Sequence, residues 1–239
     1  MRIGKHDFAL VMFDLDGTLL DTVLDMSVAL DQALVACGYP AVGVEAVRRW
    51  VGNGSLKLIS RALANARNCS ETELEQADIK HVQQVFFDHY DACCCDQLIA
   101  YPGVIDALQA LQKRFVAMAC ITNKPSRFSG KVLAAAGMAK YFDLTLSGDS
   151  LPKRKPDPMP LQHALGYFNC SAQRALMVGD SCNDILAARA AGMAVAAVDY
   201  GYNHGQPLPQ PGSDEIEAPD WLVTSLAVFF NSNAYDGNA

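Results

Sequence analysis

The feature that most narrows what this chain can fold into is a recurrence. Five short apolar or β-branched runs each stop abruptly at a polar cluster. They cover residues 9–13 before "DLDGT", 115–121 before "TNK", 143–146 before "SGDS", 175–178 before "GDSCND" and 193–198 before "DYGYN". Amphipathic stretches lie between them at 104–113, 126–136, 160–168 and 184–191, with Gly137 and Gly192 placed as helix carboxyl-terminal caps. Strand, polar turn and helix in alternation predict βαβ units, an α/β fold with a doubly wound, Rossmann-like parallel sheet and helices on both faces. Ligands bind such sheets outside the carboxyl ends of the strands. Every polar cluster named above falls at such an end.

The rhythm breaks between the first run and the second. Residues 23–99 contain no strand pattern, and apolar positions recur at helical spacing in Leu24, Val28, Leu30 and Leu34, in Leu58, Ile59, Ala62 and Leu63, and in Leu74, Val82, Val85 and Phe86. A crossover needs only one helix. The segment therefore predicts an inserted all-helical cap domain, residues 23–99, over the mouth of a core made from 1–22 and 100–239. The Pro-rich piece 206–219 reads as a loop and 231–239 as a loose tail.

Composition limits the function classes. Of 239 residues, 51% are hydrophobic and 19% charged, enough for a sizeable globular core. The longest apolar stretch, 190–198, is far shorter than the roughly 20 residues of a membrane span. The run at 8–13 stops at an aspartate instead of a cleavage site, so no membrane partner and a cytoplasmic location are expected. A net charge of −7 without a basic block argues against nucleic acid, and an anionic ligand would need local attraction from a metal ion, a lysine or a helix amino end. The eight cysteines include no Cys-x-x-Cys pair and read as reduced packing residues, although the run Cys93, Cys94, Cys95 has no assigned chemistry. The five histidines lack metal-ligand spacing.

Asp14 and Asp16 are two apart, so in extended geometry they would share a face. Two carboxylates about 4 Å apart repel by roughly 4 kcal/mol at an effective dielectric near 20, and Asp180 would add to this. A bare cluster would protonate. A hard divalent cation with oxygen ligands removes the problem, and partly hydrated Mg2+ sharing phosphate oxygens is the usual solution. Three aspartates, one Mg2+ and Lys155 come to neutrality, which suits a small phosphorylated substrate. A calcium loop is the competing reading of Asp-x-Asp-Gly, but it requires Gly at the sixth position and Glu at the twelfth, where this chain has Leu19 and Asp25.

Taken in order, "DLDGT" at 14–18, Thr122-Asn123, Lys155 in "KPDP" and "GDSCND" at 179–184 resemble the four motifs of the haloacid dehalogenase superfamily. "VGNGSLKLISRAL" at 51–63 and "YGYNHG" at 200–205 are similar to its bacterial phosphoglycolate phosphatases. The resemblance implies that Asp14 is a nucleophile forming an aspartyl-phosphate and that Asp16 is the general acid and base. It implies Mg2+ held by Asp14, the Asp16 backbone carbonyl and Asp180. Thr122, the Asn123 amide and Lys155 would hold the phosphoryl oxygens, with Ser181 and Asp184 behind them and Asp184 orienting Lys155. The reaction it implies is hydrolysis of 2-phosphoglycolate to glycolate and phosphate.

Asp16 narrows the chemistry further, because the dehalogenases and phosphonate hydrolases of this superfamily lack the second acid. Lys57 reads as a surface lysine, not an imine-forming one. Phosphomutases acting on sugar phosphates keep both acids and remain the enzymatic alternative, and a non-catalytic phosphate-binding or partner-binding module is the alternative from a different class. Substrate choice is expected in the turn at 52–55, where Gly52, Asn53 and Gly54 open a helix whose free amides could meet a small carboxylate, with Arg48, Arg49, Lys57 and Arg61 nearby in sequence. The segment 201–203, "GYN", follows a strand end without an assigned role. Either a monomer or a homodimer is compatible with the sequence.

Overall fold

A computed structural model describes residues 1–3, 6–213 and 218–231. Part of the Pro-rich loop and the predicted tail beyond Asn231 lie outside the described residues. The strands are β1 (Arg2–Ile3), β2 (His6–Asp7), β3 (Leu10–Phe13), β4 (Leu20–Asp21), β5 (Ile99–Ala100), β6 (Ala117–Ile121), β7 (Leu144–Leu146), β8 (Ala175–Gly179), β9 (Ala194–Val198) and β10 (Trp221–Val223). The α-helices are α1 (Val23–Ala36), α2 (Val44–Trp50), α3 (Ser55–Arg67), α4 (Gln76–Cys93), α5 (Val104–Lys113), α6 (Ser126–Ala135), α7 (Met159–Tyr167), α8 (Cys182–Ala190) and α9 (Leu226–Asn231).

The apolar runs form the main sheet, in the order β10-β9-β8-β3-β6-β7, with every pair parallel. A parallel sheet is covered on both faces, which is why its strands are continuously apolar instead of alternating. The period of two then sorts residues between the faces. Val11, Phe13, Cys120 and Val178 pack with α5, α6 and α9, whereas Leu10, Met12, Ile121 and Met177 pack with α7 and α8. The reading that gave five strands missed a sixth: β10 is three residues long and follows a proline-rich loop, too short to show a periodicity of its own.

The chain leaves the sheet at β4 and returns at β5, and these two short strands pair antiparallel as a neck, Leu20 opposite Ala100 and Asp21 opposite Ile99. Between them lie α1 to α4. Their buried residues, among them Leu30, Leu34, Ile59, Leu63, Val82 and Phe86, belong to the same apolar cluster as the α5/α6 face of the sheet. All eight cysteines are free thiols, as the sequence indicated, with Cys94 buried at the end of α4 and 3.7 Å from the Cys95 sulfur. Among the described residues no helix is long and apolar enough to cross a membrane.

The loops after β6 and β7 meet backbone to backbone. Gly148 N donates to the Lys124 carbonyl at 2.9 Å, and a Cβ at Gly148 would stand 2.3 Å from the Asn123 carbonyl oxygen. Gly148→Ala must therefore push the "TNK" loop away, and is expected to lower unfolding free energy by about 1–3 kcal/mol in a denaturant titration. Gly130→Ala, at a helical glycine with open space around it, serves as the control that should lose nothing.

Candidate active site

Two aspartates leave β3 together and then part. Asp14 N donates to the Val178 carbonyl at 2.9 Å, so the first carboxylate stays in register with the sheet. The chain then turns at Gly17, which has φ 88° and where a Cβ would stand 2.4 Å from Asp180 Oδ2. Only glycine suits both the backbone angle and that approach. Extended geometry ends at Phe13, and the carboxylates of Asp14 and Asp16, which line one cavity, take different partners. The Asp14 carboxylate lies against Lys155, whereas Asp16 Oδ1 accepts from Thr22 Oγ1 at 2.6 Å and from Lys124 Nζ at 3.0 Å.

Around Asp14 the ends of three strands converge. Lys155 Nζ is buried 3.0 Å from Asp14 Oδ1 and 2.6 Å from Asp184 Oδ1. Ser181 caps α8, and Asp184 completes the cap, its Oδ2 accepting from Ser181 N (3.1 Å), Ser181 Oγ (2.9 Å) and Asp180 N (3.2 Å). Asp180 in turn accepts from Thr18 Oγ1 at 3.1 Å and from Tyr202 N at 2.7 Å. Burial, only partly offset by Lys155, pushes the Asp14 carboxyl up to about 7. Burial and then the neighbouring Asp14 raise Asp180 well above the usual carboxylate range. Burial works against the charge of Lys155, but Asp14 and Asp184 outweigh it and hold the ammonium firmly charged.

A divalent cation fits this constellation. Oxygens of Asp14, Asp180 and Asp184 come within 4.8 Å of one another. Three buried carboxylates face one ammonium, an excess of two negative charges that a single divalent ion would cancel. Asp14 Oδ1 is buried and, despite its ionic contact with Lys155, has no aligned hydrogen-bond donor. Asp184 takes three donors on Oδ2 and the Lys155 ammonium on Oδ1, whereas Asp180 takes one donor on each oxygen and Asp14 Oδ1 takes none, so Asp14 and Asp180 keep acceptor capacity. The donors are all hard oxygens, as Mg2+ prefers.

Beside the carboxylates is a partly open cavity of about 40 Å³. Its polar floor is Asp14, Asp16, Thr122, Asn123 and Lys124, and Gly52, Gly54 and Ser55 contribute from the helical segment. The turn at 52–55 is fastened to the sheet edge: the Gly52 carbonyl accepts from Asn123 Nδ2 at 3.0 Å and Asn183 Nδ2 at 3.3 Å. Asn53 points elsewhere, donating to Asn183 Oδ1 at 3.2 Å. The basic residues expected near the turn are engaged away from the cavity. Arg48 pairs with Asp21 at 3.3 Å, Lys57 with Glu71 at 2.9 Å, Arg61 donates to the Trp50 carbonyl at 2.6 Å, and Arg49 packs on Gly205.

Sequence reasoning missed Lys124, Tyr90 and the function of "GYN". Lys124 Nζ is buried and reaches both Asp16 and the Tyr90 hydroxyl, the latter at 2.7 Å. Its signal was a lysine immediately after Thr122-Asn123 at a strand end. Tyr90 comes from α4, and nothing local marks it. In "GYN", a Cβ at Gly201 would stand 2.1 Å from Asp180 Cβ. The Tyr202 hydroxyl donates to Asp21 Oδ1 at 2.7 Å and accepts from Thr22 N at 3.0 Å, and Asn203 Oδ1 accepts from Cys182 N at 3.1 Å. The segment therefore braces Asp180, the neck and the start of α8 together.

Comparison with known proteins bears on the same residues. The family model described as haloacid dehalogenase-like hydrolase matches residues 11–198. The chain is 44% identical over 224 residues to a phosphoglycolate phosphatase of Vibrio parahaemolyticus, covering 93% of this chain and 95% of that protein. It is 43% identical over 217 residues to a phosphoglycolate phosphatase of Pseudomonas fluorescens, covering 91% and 76%. A solved structure of a predicted phosphoglycolate phosphatase from Haemophilus somnus superposes with a TM-score of 0.85 at 34% identity, covering 94% of this chain and 97% of that one. The fold, the motif order and these likenesses lead to one conclusion: the chain belongs to the haloacid dehalogenase-like hydrolase family.

Proposed function

We propose that this protein is a Mg2+-dependent phosphatase that hydrolyses a small phosphate monoester, with 2-phosphoglycolate as the substrate that the names of its relatives favour. The observation that carries the reading is the separation of two acids around one cavity. Asp14 sits with an unmet oxygen beside Lys155, and Asp16 faces the same cavity from a different set of partners.

In this reading the phosphoryl group lies over Asp14, with its oxygens held by Thr122, the Asn123 amide and Lys155, so that their charge is already placed where it grows in the transition state. The Asp14 carboxylate attacks phosphorus in line, the ester P–O bond breaks, and Asp16 gives its proton to the departing alkoxide. Asp16 then takes a proton from the water that attacks the aspartyl-phosphate, which releases inorganic phosphate and restores Asp14. Mg2+ would be held by Asp14, the Asp16 carbonyl and Asp180, and when bound it supplies charge neutralisation at the phosphoryl oxygens. Ser181 and Asp184 act through Lys155, which they fix in position. Residues 23–99 serve as the cap that encloses the substrate, and the turn at Gly52, Asn53 and Gly54 closes over the leaving group. Reduced cysteines agree with a cytoplasmic setting.

Phosphate release from 2-phosphoglycolate in the presence of Mg2+ tests the reading. Asp14→Asn is expected to reduce kcat by about 10⁴-fold or more, and residual turnover near wild type would refute the nucleophile. Asp16→Asn should lose about 10²–10⁴-fold on 2-phosphoglycolate. With p-nitrophenyl phosphate, whose leaving group needs no proton, the same variant should show a burst of nitrophenol close to one per site and then slow turnover. A linear trace from the first turnover would contradict the two-step scheme. Because Asn53 faces Asn183 instead of the cavity, Asn53→Ala is expected to change the preference for 2-phosphoglycolate over ethyl phosphate by less than about threefold, as read from the two kcat/KM values.

A further inference from the structure

The substrate named above carries a carboxylate as well as a phosphate, and the helical segment brings no cation to meet it. Arg48, Lys57 and Arg61 are committed elsewhere. Among the residues that line the cavity, Lys124 is the only cationic one. It stands on the loop after β6, and its side chain is 2% exposed. An ammonium has three N–H donors. Asp16 Oδ1 at 3.0 Å takes one and the Tyr90 hydroxyl at 2.7 Å takes a second. The third has no partner among the described residues. A buried charged donor left unmet is costly unless something accepts from it.

We propose that Lys124 is the specificity-determining residue of this site: its free N–H and its charge receive the carboxylate of a small phosphorylated hydroxy acid whose phosphate lies at Asp14. The assignment rests on the phosphatase reading and sharpens it. Tyr90, in contact with the ammonium and with its ring centroid 4.9 Å from it, fixes where the charge points. Apolar side chains of Met26, Leu58, Phe86 and Phe128 line the rest of the cavity. They offer no polar group to a hydroxyl-rich sugar, and their low dielectric strengthens an ion pair formed inside. The preferred ligand is thus short, dianionic at one end and monoanionic at the other. Recognition comes from the core, immediately beside the phosphate-holding Thr122 and Asn123, and the cap encloses the ligand without supplying its countercharge.

Ethyl phosphate has the length of 2-phosphoglycolate without its carboxylate, so the pair isolates the interaction. Wild-type kcat/KM should favour 2-phosphoglycolate, and Lys124→Met should reduce that preference by about ten- to a hundredfold, mainly through KM. Since Lys124 also touches Asp16, turnover could fall for both esters. Binding to Asp14→Asn and to Asp14→Asn/Lys124→Met, measured by calorimetry with Mg2+ present, removes that ambiguity. The second substitution should weaken 2-phosphoglycolate by about ten- to a hundredfold and ethyl phosphate by less than about threefold. Equal weakening of the two ligands would overturn the assignment. If wild type hydrolyses both esters equally well, the phosphatase reading stands and the Lys124 assignment falls. If it hydrolyses neither, both fall.

Discussion

The ammonium of Lys155, buried between Asp14 and Asp184, is the contact on which the rest of the site depends. Placing three carboxylates where strands β3 and β8 end is unfavourable in a medium that solvates charge poorly, and one lysine offsets only part of it. Removing Lys155 would leave several buried anions without a cation, the kind of change that costs about 3–5 kcal/mol. The same arithmetic makes the cluster a candidate cation site: it remains short of positive charge after Lys155 is counted. Asp184 has a structural part in this, since it closes the amino end of α8 with Ser181 while it holds the lysine.

A second ion pair, Asp16 with Lys124, stands beside the first and shares no partner with it. The separation gives each acid its own environment. One is desolvated next to Lys155 and available to bond; the other is hydrogen-bonded to Thr22 and Lys124 at the cavity floor. The helical segment is tied to this arrangement at two points. Gly52 receives amides from Asn123 and Asn183, and Tyr90 reaches Lys124, so closure of the segment and order at the sheet edge are linked physically.

Much of this was legible in the chain itself. The central strands show because parallel strands must be apolar on both faces, and α5 spans Val104–Lys113 as its periodicity indicates because its amphipathic pattern is uninterrupted. Asp14, Lys155, Asp180 and Asp184 could be placed near one another because the carboxyl ends of parallel strands gather at one edge. What the sequence did not disclose depends on direction or on distant contact. Spacing alone put Asp16 beside Asp14, and it did not show that Asp16 pairs with Lys124 while Asp14 pairs with Lys155. Charges near the turn at 52–55 looked available, yet Arg48, Lys57 and Arg61 each find an acid or a carbonyl within their own neighbourhood. Lys124 and Tyr90 meet only because α4 folds down on the loop after β6, and β10 is too short to carry a pattern.

The central claim, that a cation and Lys155 together relieve a buried carboxylate cluster, is tested most directly by proton release on Mg2+ binding. Asp14 is held up to about 7, so in the metal-free protein it keeps a proton at mildly acidic pH that Mg2+ must displace. Calorimetric titrations at about pH 6 in buffers of different ionisation enthalpy should register proton release, from Asp14 and from Asp180, which burial also raises, with apparent affinity rising with pH. Asp14→Asn should weaken both effects, leaving the share that burial of Asp180 contributes. Mg2+ affinity that is the same at about pH 6 and about pH 8, with no buffer dependence, would contradict the account.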